Sequence, residues 1–309
     1  MERGRARDMT TPLPTLTPAP GASRAGTSRA GAFLALLAGA TALGVSPVFV
    51  RLADVGPFAS AFWRAALALP VLYLWMRIGD RGGKERAGLT LPGVLAGLFF
   101  AGDLFFWHLS ILNTSIANST FLATTAPVWV ILVAWLWFKD RVSGATLAGL
   151  ALCIAGGAAL VGDSLQVDRS RLSGDLYGLA TGVFFGLYFH AIRAGRTTHG
   201  AARLTLHSTA VTALVLFAVA LVLEPRILPQ SMQGWLAVLA LGMLTHAAGQ
   251  GLLSVALGTL PTVFSSLVIF LEAVIAALFA WAVLGEALSL AQVAGGAAIM
   301  LGIWVARPR

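Results

Sequence analysis

Charged side chains are scarce in this sequence. Only 11% of its 309 residues are Asp, Glu, Lys or Arg, whereas a soluble domain carries about 25%. Apolar residues make up 58% of the chain, and the mean hydropathy is +0.83. Too few charges remain to cover a surface that faces water. The composition therefore excludes a water-soluble fold and predicts an integral membrane protein with the lipid bilayer as its solvent.

Cysteine and the motifs of catalysis are also nearly absent. Cys153 is the one cysteine, so an internal disulfide is excluded, and its place in an apolar run predicts a small buried side chain. The five histidines share no metal-ligand spacing, and there is no phosphate loop, haem motif or hydrolase motif. We therefore expect no enzyme activity, no cofactor and no metal.

The formal net charge of +8 is spread in a way that argues against nucleic acid as a partner. The basic residues lie in residues 1–30 and in short loops between apolar runs, which is the pattern of membrane topology. Residues 1–30 are rich in Arg, Thr, Pro, Ser, Gly and Ala without apolar periodicity. We interpret them as a disordered cytoplasmic tail.

Ten long apolar runs follow the tail. Each is close to the roughly 20 residues that a helix needs to cross about 30 Å of hydrocarbon. The sequence therefore predicts an all-α integral membrane fold with ten transmembrane helices. The runs are 31–52, 57–78, 91–112, 115–138, 143–162, 172–193, 201–223, 234–256, 260–284 and 289–306.

The distribution of Lys and Arg predicts the orientation. With ten spans, sixteen basic residues fall on the side of the tail and four on the other side. Positively charged loops stay in the cytoplasm, so we expect a multi-pass protein of the inner (plasma) membrane with both termini cytoplasmic.

The chain contains an internal repeat. When the sequence is shifted by 146, residues 128–156 fall on 274–302 with ten identities, including Gly149 on Gly295 and Gly156 on Gly302. The repeat predicts two domains, 31–162 and 172–306, of five helices each. Because five is odd, the halves insert in opposite orientations, as in many transporters built from inverted repeats.

Three ionisable side chains lie deep in the predicted spans. Each costs at least about 2.5–3.5 kcal/mol to insert, so each is a functional candidate. Arg64 and Asp103 are predicted at similar depth. They form either a structural ion pair or a site for a substrate carboxylate and a proton. Glu272, near the midplane, falls on Ala126 in the repeat. It is either a proton-coupling group or a neutral, hydrogen-bonded acid.

Other polar and aromatic side chains within the spans are weaker candidates. Aromatic stripes on the third and sixth helices form either a wall of the solute site or plain helix packing. The histidines are candidates for a proton relay or for helix–helix hydrogen bonds, and the amides for the cavity or for bridging helices. These candidates are Trp107, His108, Asn118, Tyr188, His246 and Gln250.

Two further features of the repeat have structural interpretations. Asp140 and Glu286 each precede by three residues a serine, Ser143 or Ser289, that we expect to cap a helix. The glycines of the fifth and tenth helices allow close packing within a monomer or between the subunits of a homodimer.

The chain resembles the EamA-type members of the drug/metabolite transporter superfamily. The resemblance covers residues 31–306 and rests on short motifs that are specific in combination. It departs from the family at Asp140, where Glu is usual, and at Ala273, where proline is common. The motifs are Phe62-Trp63-Arg64-Ala65, Trp107-His108-Leu109-Ser110-Ile111, 114–120 with Pro127, Leu271-Glu272-Ala273 and Leu284-Gly285-Glu286.

The resemblance implies a ten-helix transporter, often an exporter of amino acids, metabolites or drugs driven by gradients or exchange. We therefore expect a secondary transporter that exports a small organic solute, such as an amino acid, with protons as a candidate coupling ion. A flippase for a lipid or lipid-linked head group on the same scaffold is the alternative. Two further hypotheses are an integral-membrane enzyme and a structural or sensory membrane protein. An enzyme would require clustered catalytic groups at one depth, which the sequence does not show. A structural or sensory protein would lack a polar cavity through the membrane.

Overall fold

The computed structural model describes residues 27–79, 88–114, 116–162, 171–284 and 288–308. Over these residues the fold is helical, with no strand. Most of the predicted tail, the middle of the 78–90 loop, and Gly285 and Glu286 lie outside the described residues.

A helical segment occupies each of the ten predicted positions. We number them α1 to α10, and several consist of two or three consecutive helical pieces. They are α1 Arg29–Leu52, α2 Pro57–Gly79, α3 Leu91–Asn113, α4 116–136, α5 Gly144–Val161, α6 Leu172–Gly195, α7 Ala201–Leu223, α8 Met232–Leu257, α9 262–284 and α10 Leu290–Val305.

Eight of the ten segments contain helix that is long and apolar enough to cross a membrane. The two others are α6 and α10. The α10 segment is apolar but has only 16 residues, whereas α6 has 24 residues and a more polar composition that includes Asp175 and Arg193. The structure therefore agrees with an all-helical multi-pass membrane protein.

Serine side chains begin several helices, as the sequence predicts for two of them. Ser143 Oγ accepts from Thr146 N at 3.1 Å, and Ser289 Oγ accepts from Gln292 N at 3.2 Å. The Gln292 side-chain oxygen accepts in turn from Ser289 N at 2.9 Å, which completes a capping box. These bonds satisfy backbone N–H groups that a helix start otherwise leaves unpaired.

The start of α1 and the residues after α10 lie at one end of the bundle, which we call the terminal end; the other is the distal end. Arg29 donates to Pro308 O at 3.0 Å, which ties the start of α1 to the residues after α10. At the distal end, Asp54 accepts from Gln230 N and Ser231 N at 3.1 and 2.7 Å.

The contact between α5 and α10 follows the sequence repeat. A Cβ on Gly149 would lie 2.5 Å from Gly302 O, and one on Gly156 would lie 2.5 Å from Gly295 O. The two helices are antiparallel, and repeat-equivalent glycines exchange places across the contact. The glycines thus serve packing within the chain, where only the absence of a side chain permits this approach.

Candidate functional site

A cavity lies at the centre of the bundle, and its volume is about 80 Å³. A water needs about 10–15 Å³ of such space, so the cavity holds about five to eight water-sized groups. Helices α1, α2, α3, α4, α6, α8 and α9 all contribute to it. Its walls are formed by Leu43, Gly44, Ser46, Pro47, Arg64, Phe100, Asp103, Leu104, Trp107, Thr120, Ala123, Thr124, Thr181, Phe185, Gln250, Ile269, Glu272 and Ala276.

Arg64 brings a buried positive charge to this cavity. It is 6% exposed, donates to Ser46 Oγ at 3.1 Å, and places its guanidinium carbon 5.7 Å from the centre of the Phe100 ring. Its Nε has no hydrogen-bond partner within the described chain. A guanidinium has five N–H donors, so most of its capacity is open to a ligand.

Two acids share the cavity with Arg64. Asp103 is 7% exposed, and Glu272 is partly exposed with its Oε1 atom buried and unpartnered among the described residues. Both acids lie within electrostatic range of Arg64, yet no hydrogen bond or direct ion pair joins Arg64 to either of them in the described part of the chain. The site therefore holds charges of both signs that are near one another but unjoined.

Gln250 adds a neutral polar group to the cavity wall. It is 1% exposed, and over the described residues neither its side-chain oxygen nor its nitrogen has a hydrogen-bond partner. An amide that is buried without partners costs about 1–3 kcal/mol for each lost bond. Such a group either meets water or binds a polar ligand in the cavity.

Irregular backbone in four helices converges on the cavity. Helix α1 is interrupted at Val45, just before Pro47, and α4 is interrupted at Thr124 and Thr125, just before Pro127. The others are a π-helix at Leu241–Gln250 in α8 and a 3₁₀ turn at Val268–Phe270 in α9. Proline removes an internal hydrogen bond, and broken spans are tolerated where they line a cavity.

Helices α4 and α9 pack against each other at the terminal end of the cavity and have different neighbours toward its distal end. The first turns of α9, Thr262–Leu267, pack against the last part of α4, Ala126–Leu136. The first half of α4, Ile116–Ala123, contacts α3, α5 and α6 instead. The second part of α9, Leu271–Leu284, contacts α1, α5 and α10. Among the lining residues, Thr120 and Glu272 on these distal halves are partly exposed, whereas Gln250 and Trp107 on other helices are buried.

Five of the nine predicted site residues meet at this cavity: Arg64, Asp103, Trp107, Gln250 and Glu272. The two histidines lie away from its wall. His108 Nδ1 bonds to Leu104 O at 2.6 Å, and His246 Nε2 bonds to Thr209 Oγ1 at 2.8 Å. Both are 1% exposed, and these contacts fit hydrogen-bonded core histidines.

The two remaining predicted residues also lie off the cavity wall. Asn118 donates to Asp175 Oδ1 at 3.2 Å near the distal end. Tyr188 is 2% exposed and packs between Phe100 and Phe185 at centroid distances of 5.0 and 5.9 Å. Tyr188 therefore supports the aromatic wall from behind.

The aromatic stripes divide between packing and lining. Phe106 stacks on Tyr177 and Phe184 at 6.1 and 5.3 Å, in the interface between α3 and α6. Phe100, Trp107 and Phe185 line the cavity instead. Some aromatic residues of α3 and α6 therefore pack these two helices together, and others line the cavity.

Sequence reasoning missed several lining residues, all of them uncharged. Ser46, Thr120, Thr124 and Thr181 place hydroxyl groups at the cavity. Hydroxyls are common in apolar helices, where they bond back to the preceding turn, as Thr124 does to Phe121 O at 2.7 Å. The available signal was Pro47 and Pro127, which mark the breaks beside Ser46 and Thr124.

Metal binding has no support in the described ranges. No group of three His, Cys, Asp or Glu side chains among those residues is arranged to hold a metal ion.

Comparisons with known proteins point to a transporter family. A 24% identical relative from Archaeoglobus fulgidus, described as an uncharacterized transporter, aligns over 88% of this chain and 94% of its own length. A crystal structure of a protein with 20% identity matches with a TM-score of 0.80, over 90% of this chain and 98% of that one. The model of the EamA-like transporter family matches twice, at residues 29–162 and 172–307. Since these matches span most of the sequence, the chain belongs to the EamA-like transporter family.

Proposed function

We propose that this protein is a secondary transporter that exports a small organic solute, an amino acid or a related metabolite, by alternating access. The observation that carries the proposal is the central cavity, in which Arg64, Asp103 and Glu272 lie near one another without direct pairing. Buried charges are costly unless paired. A ligand that carries both signs would supply the missing partners.

The charges and walls of the cavity favour an amino acid. The solute carboxylate would meet Arg64, because a guanidinium binds a carboxylate through two parallel bonds. The solute ammonium would meet Asp103 or Glu272, and an apolar side chain would lie on Phe100 and Trp107. The volume of about 80 Å³ suits about five to eight non-hydrogen atoms, which favours a small aliphatic amino acid.

A proton is the proposed coupling ion. The cavity holds one guanidinium and two carboxyl groups. Without solute, Arg64 can neutralise one carboxyl group, and a proton is the smallest charge that neutralises the other. The solute ammonium would compete with this proton, so the two would bind in turn, as export driven by an inward proton gradient requires. Glu272 is the proposed carrier because it lies on the distal half of α9 and its Oε1 has no partner in the described chain.

The proposed architecture has ten spans in two inverted five-helix repeats. The antiparallel α5–α10 contact, in which equivalent glycines exchange places, supports an axis perpendicular to the helices. Such an axis lies in the membrane plane when the helices cross the bilayer. The α10 segment runs along α5 and α6 runs along α3, so both would cross with their neighbours.

The structure corresponds in this proposal to the outward-open state. The terminal end would face the cytoplasm because basic residues are concentrated on that side of the chain. The parted halves of α4 and α9 would then open to the outside of the inner membrane. Solute release and proton entry would occur here, and the inward-open state would exchange the packed and parted halves.

A flippase for a lipid or lipid-linked head group is the second candidate. The parted distal halves of α4 and α9 favour it, because a gap between two spans could admit a head group sideways from the bilayer. The small cavity and its single guanidinium fit a free solute better.

The test is efflux from proteoliposomes. Purified protein is reconstituted into vesicles loaded with a mixture of amino acids, an inward proton gradient is imposed, and the species that leave are identified by mass spectrometry. We expect selective loss of small aliphatic amino acids relative to protein-free vesicles, and faster loss with the gradient than without it.

Glu272→Gln separates coupling from transport. We expect it to abolish acceleration by the proton gradient while leaving exchange of labelled for unlabelled solute. Acceleration by the gradient in Glu272→Gln equal to the wild type would refute Glu272 as the carrier. If no amino acid leaves selectively from vesicles of correctly folded protein, the same preparation is assayed for movement of fluorescent lipid, and a positive result favours the flippase.

A further inference from the structure

A second depression lies on the membrane-facing surface at the terminal end, apart from the central cavity. It runs between the start of α1, the start of α9 and the end of α10, and its volume is about 650 Å³. We call it the terminal groove. It shares no lining residue with the transport site.

The body of the terminal groove is apolar. Phe33 and Leu37 of α1 form one wall, and Phe33 stacks on Phe264 of α9 at 6.1 Å between ring centres. Met300 of α10 forms the opposite wall and is 50% exposed, while Leu271 lies buried at the base. A depression of this kind within the hydrocarbon layer is filled by a flexible apolar chain, because a void would lose dispersion contacts.

The rim of the terminal groove is basic. Arg29 and Arg307 both line it and both are exposed. The Arg29 guanidinium donates one hydrogen bond to Pro308 O, at 3.0 Å. Arg307 lies over the Trp304 ring at 4.5 Å, and Trp304 is 57% exposed. Exposed tryptophan and arginine at the end of a span are typical of the level of the lipid head groups.

We propose that the terminal groove binds an anionic phospholipid of the leaflet at the terminal end. One acyl chain lies between Phe33 and Met300, and the phosphate lies between Arg29 and Arg307. Basic pockets between spans recognise acidic head groups in this way. The binding class therefore combines a negatively charged phosphodiester with a long apolar chain.

The N-terminal 26 residues are the alternative candidate to occupy the terminal groove, and their charge argues against them. They contain four arginines and two acidic residues, so they carry a net positive charge of the same sign as the rim. Like charges at close range repel, whereas an anionic lipid is attracted to both arginines.

The test uses native mass spectrometry of the full purified chain in detergent. The protein is titrated with phosphatidylglycerol or with phosphatidylcholine of identical acyl chains. We expect a preference for phosphatidylglycerol of about fivefold for each arginine. The double variant Arg29→Gln/Arg307→Gln should bind both lipids equally. The control Arg51→Gln/Arg77→Gln removes two exposed arginines elsewhere and should keep the wild-type preference.

A second variant tests the apolar part. Ala30 lines the terminal groove and is exposed, so Ala30→Trp should fill it and reduce retention of both lipids. Leu34→Trp, one turn along α1 at a residue that is 65% exposed outside the lining, should retain both.

Three results would overturn the proposal. They are equal binding of the two lipids by the wild type, a wild-type preference in Arg29→Gln/Arg307→Gln, and complete displacement of phosphatidylglycerol by inorganic phosphate. The last would mean that the apolar groove contributes nothing to binding.

Discussion

The two sequence repeats contribute equally to the contact between α5 and α10 but unequally to the central cavity. At the contact, Gly149 meets Gly302 and Gly156 meets Gly295, so each repeat supplies the same residues to the other. At the cavity, Glu272 has Ala126 as its repeat equivalent, and Ala126 is fully buried. The chain therefore keeps its internal symmetry where helices pack and departs from it where charge is placed.

The physical reason lies in what each region must satisfy. Close packing of two helices is served equally well by the same small residue on both sides. A second glutamate at the fully buried position 126 would place another negative charge in the protein interior, beside a cavity that already has two acids and one guanidinium, and unpaired buried charge is costly. The same residue can therefore stand in both repeats at the helix contact, whereas the same charge in both repeats would be unfavourable near the cavity.

The largest effect is expected when the cavity loses its positive charge. Arg64→Gln should slow solute efflux from proteoliposomes by about 30-fold or more, because losing one partner of a buried charged interaction costs about 2 kcal/mol or more. We expect Asp103→Asn to be similarly inactive. Both proteins should still insert into the membrane and elute as folded protein from a sizing column.

Arg51→Gln is the matched control for this change, since Arg51 is exposed near the distal end of α1. It should transport at the wild-type rate. Wild-type efflux by purified Arg64→Gln and Asp103→Asn would contradict a role for the two residues in transport. If both variants lose yield and melting temperature instead, their charges hold the helices together.

The next effect should appear at the symmetric contact and should concern stability. Gly295→Ala would place a Cβ 2.6 Å from Gly156 O, whereas in Gly296→Ala the nearest atom outside the helix backbone is 3.8 Å away. Overpacking costs about 1–3 kcal/mol, so Gly295→Ala should unfold at a lower temperature in detergent. Gly296→Ala should unfold at the wild-type temperature or slightly above it, because alanine favours helix over glycine.

This pair of adjacent substitutions also tests whether the glycines pack helices within one chain or between the subunits of a homodimer. If they served a homodimer, Gly295→Ala would change the mass of the protein on a sizing column with light scattering and leave the monomer as stable as before.

A smaller effect is expected from a neutral group of the cavity. Gln250→Leu should raise the KM for solute by about 3- to 10-fold, the value of one neutral hydrogen bond, with little change in the maximal rate. Gln233→Leu is the control, because Gln233 is exposed on the same helix. An unchanged KM in Gln250→Leu would show that its amide bonds to water rather than to solute.

The sequence predicts the positions of the ten described helical segments and the charged residues that line the candidate cavity. Ten apolar runs of sufficient length leave little choice of fold, and Arg64, Asp103 and Glu272 are conspicuous because charge is rare in apolar spans. The same reasoning is weaker for His108 and His246, because a buried histidine that bonds to a backbone carbonyl or a threonine through one ring nitrogen looks no different in sequence.

The threonines and the helix breaks could be predicted only in part. Pro47 and Pro127 signal two of the four interruptions. The π-helix at Leu241–Gln250 and the 3₁₀ turn at Val268–Phe270 have no proline and depend on packing around them. Gln250 lines the cavity from the end of that π-helix, so its position follows from geometry that hydropathy does not encode.

The smallest effect is expected outside both compared regions, at the distal loops. Asp54 accepts from Gln230 N and Ser231 N at 3.1 and 2.7 Å. Hydrogen bonds from the Ser231 side chain and from these backbone groups hold the pKa of Asp54 below its usual 3.8, against a weaker opposing effect of desolvation. The ionised carboxylate is therefore favoured in the folded protein. Its contribution to stability is present above the ordinary pKa and is lost as the pH falls through the lowered one.

Asp54→Asn should thus lower the unfolding temperature at pH 7 by less than Gly295→Ala does, and the difference from the wild type should shrink below about pH 4. Asp140→Asn, which removes an exposed acid on the terminal side, is the matched control for the loss of one surface charge. Solute efflux at pH 7 should be unchanged in both variants, because neither residue lines the cavity. A loss of efflux in Asp54→Asn with unchanged stability would instead mean that the tie between the distal loops belongs to the transport cycle.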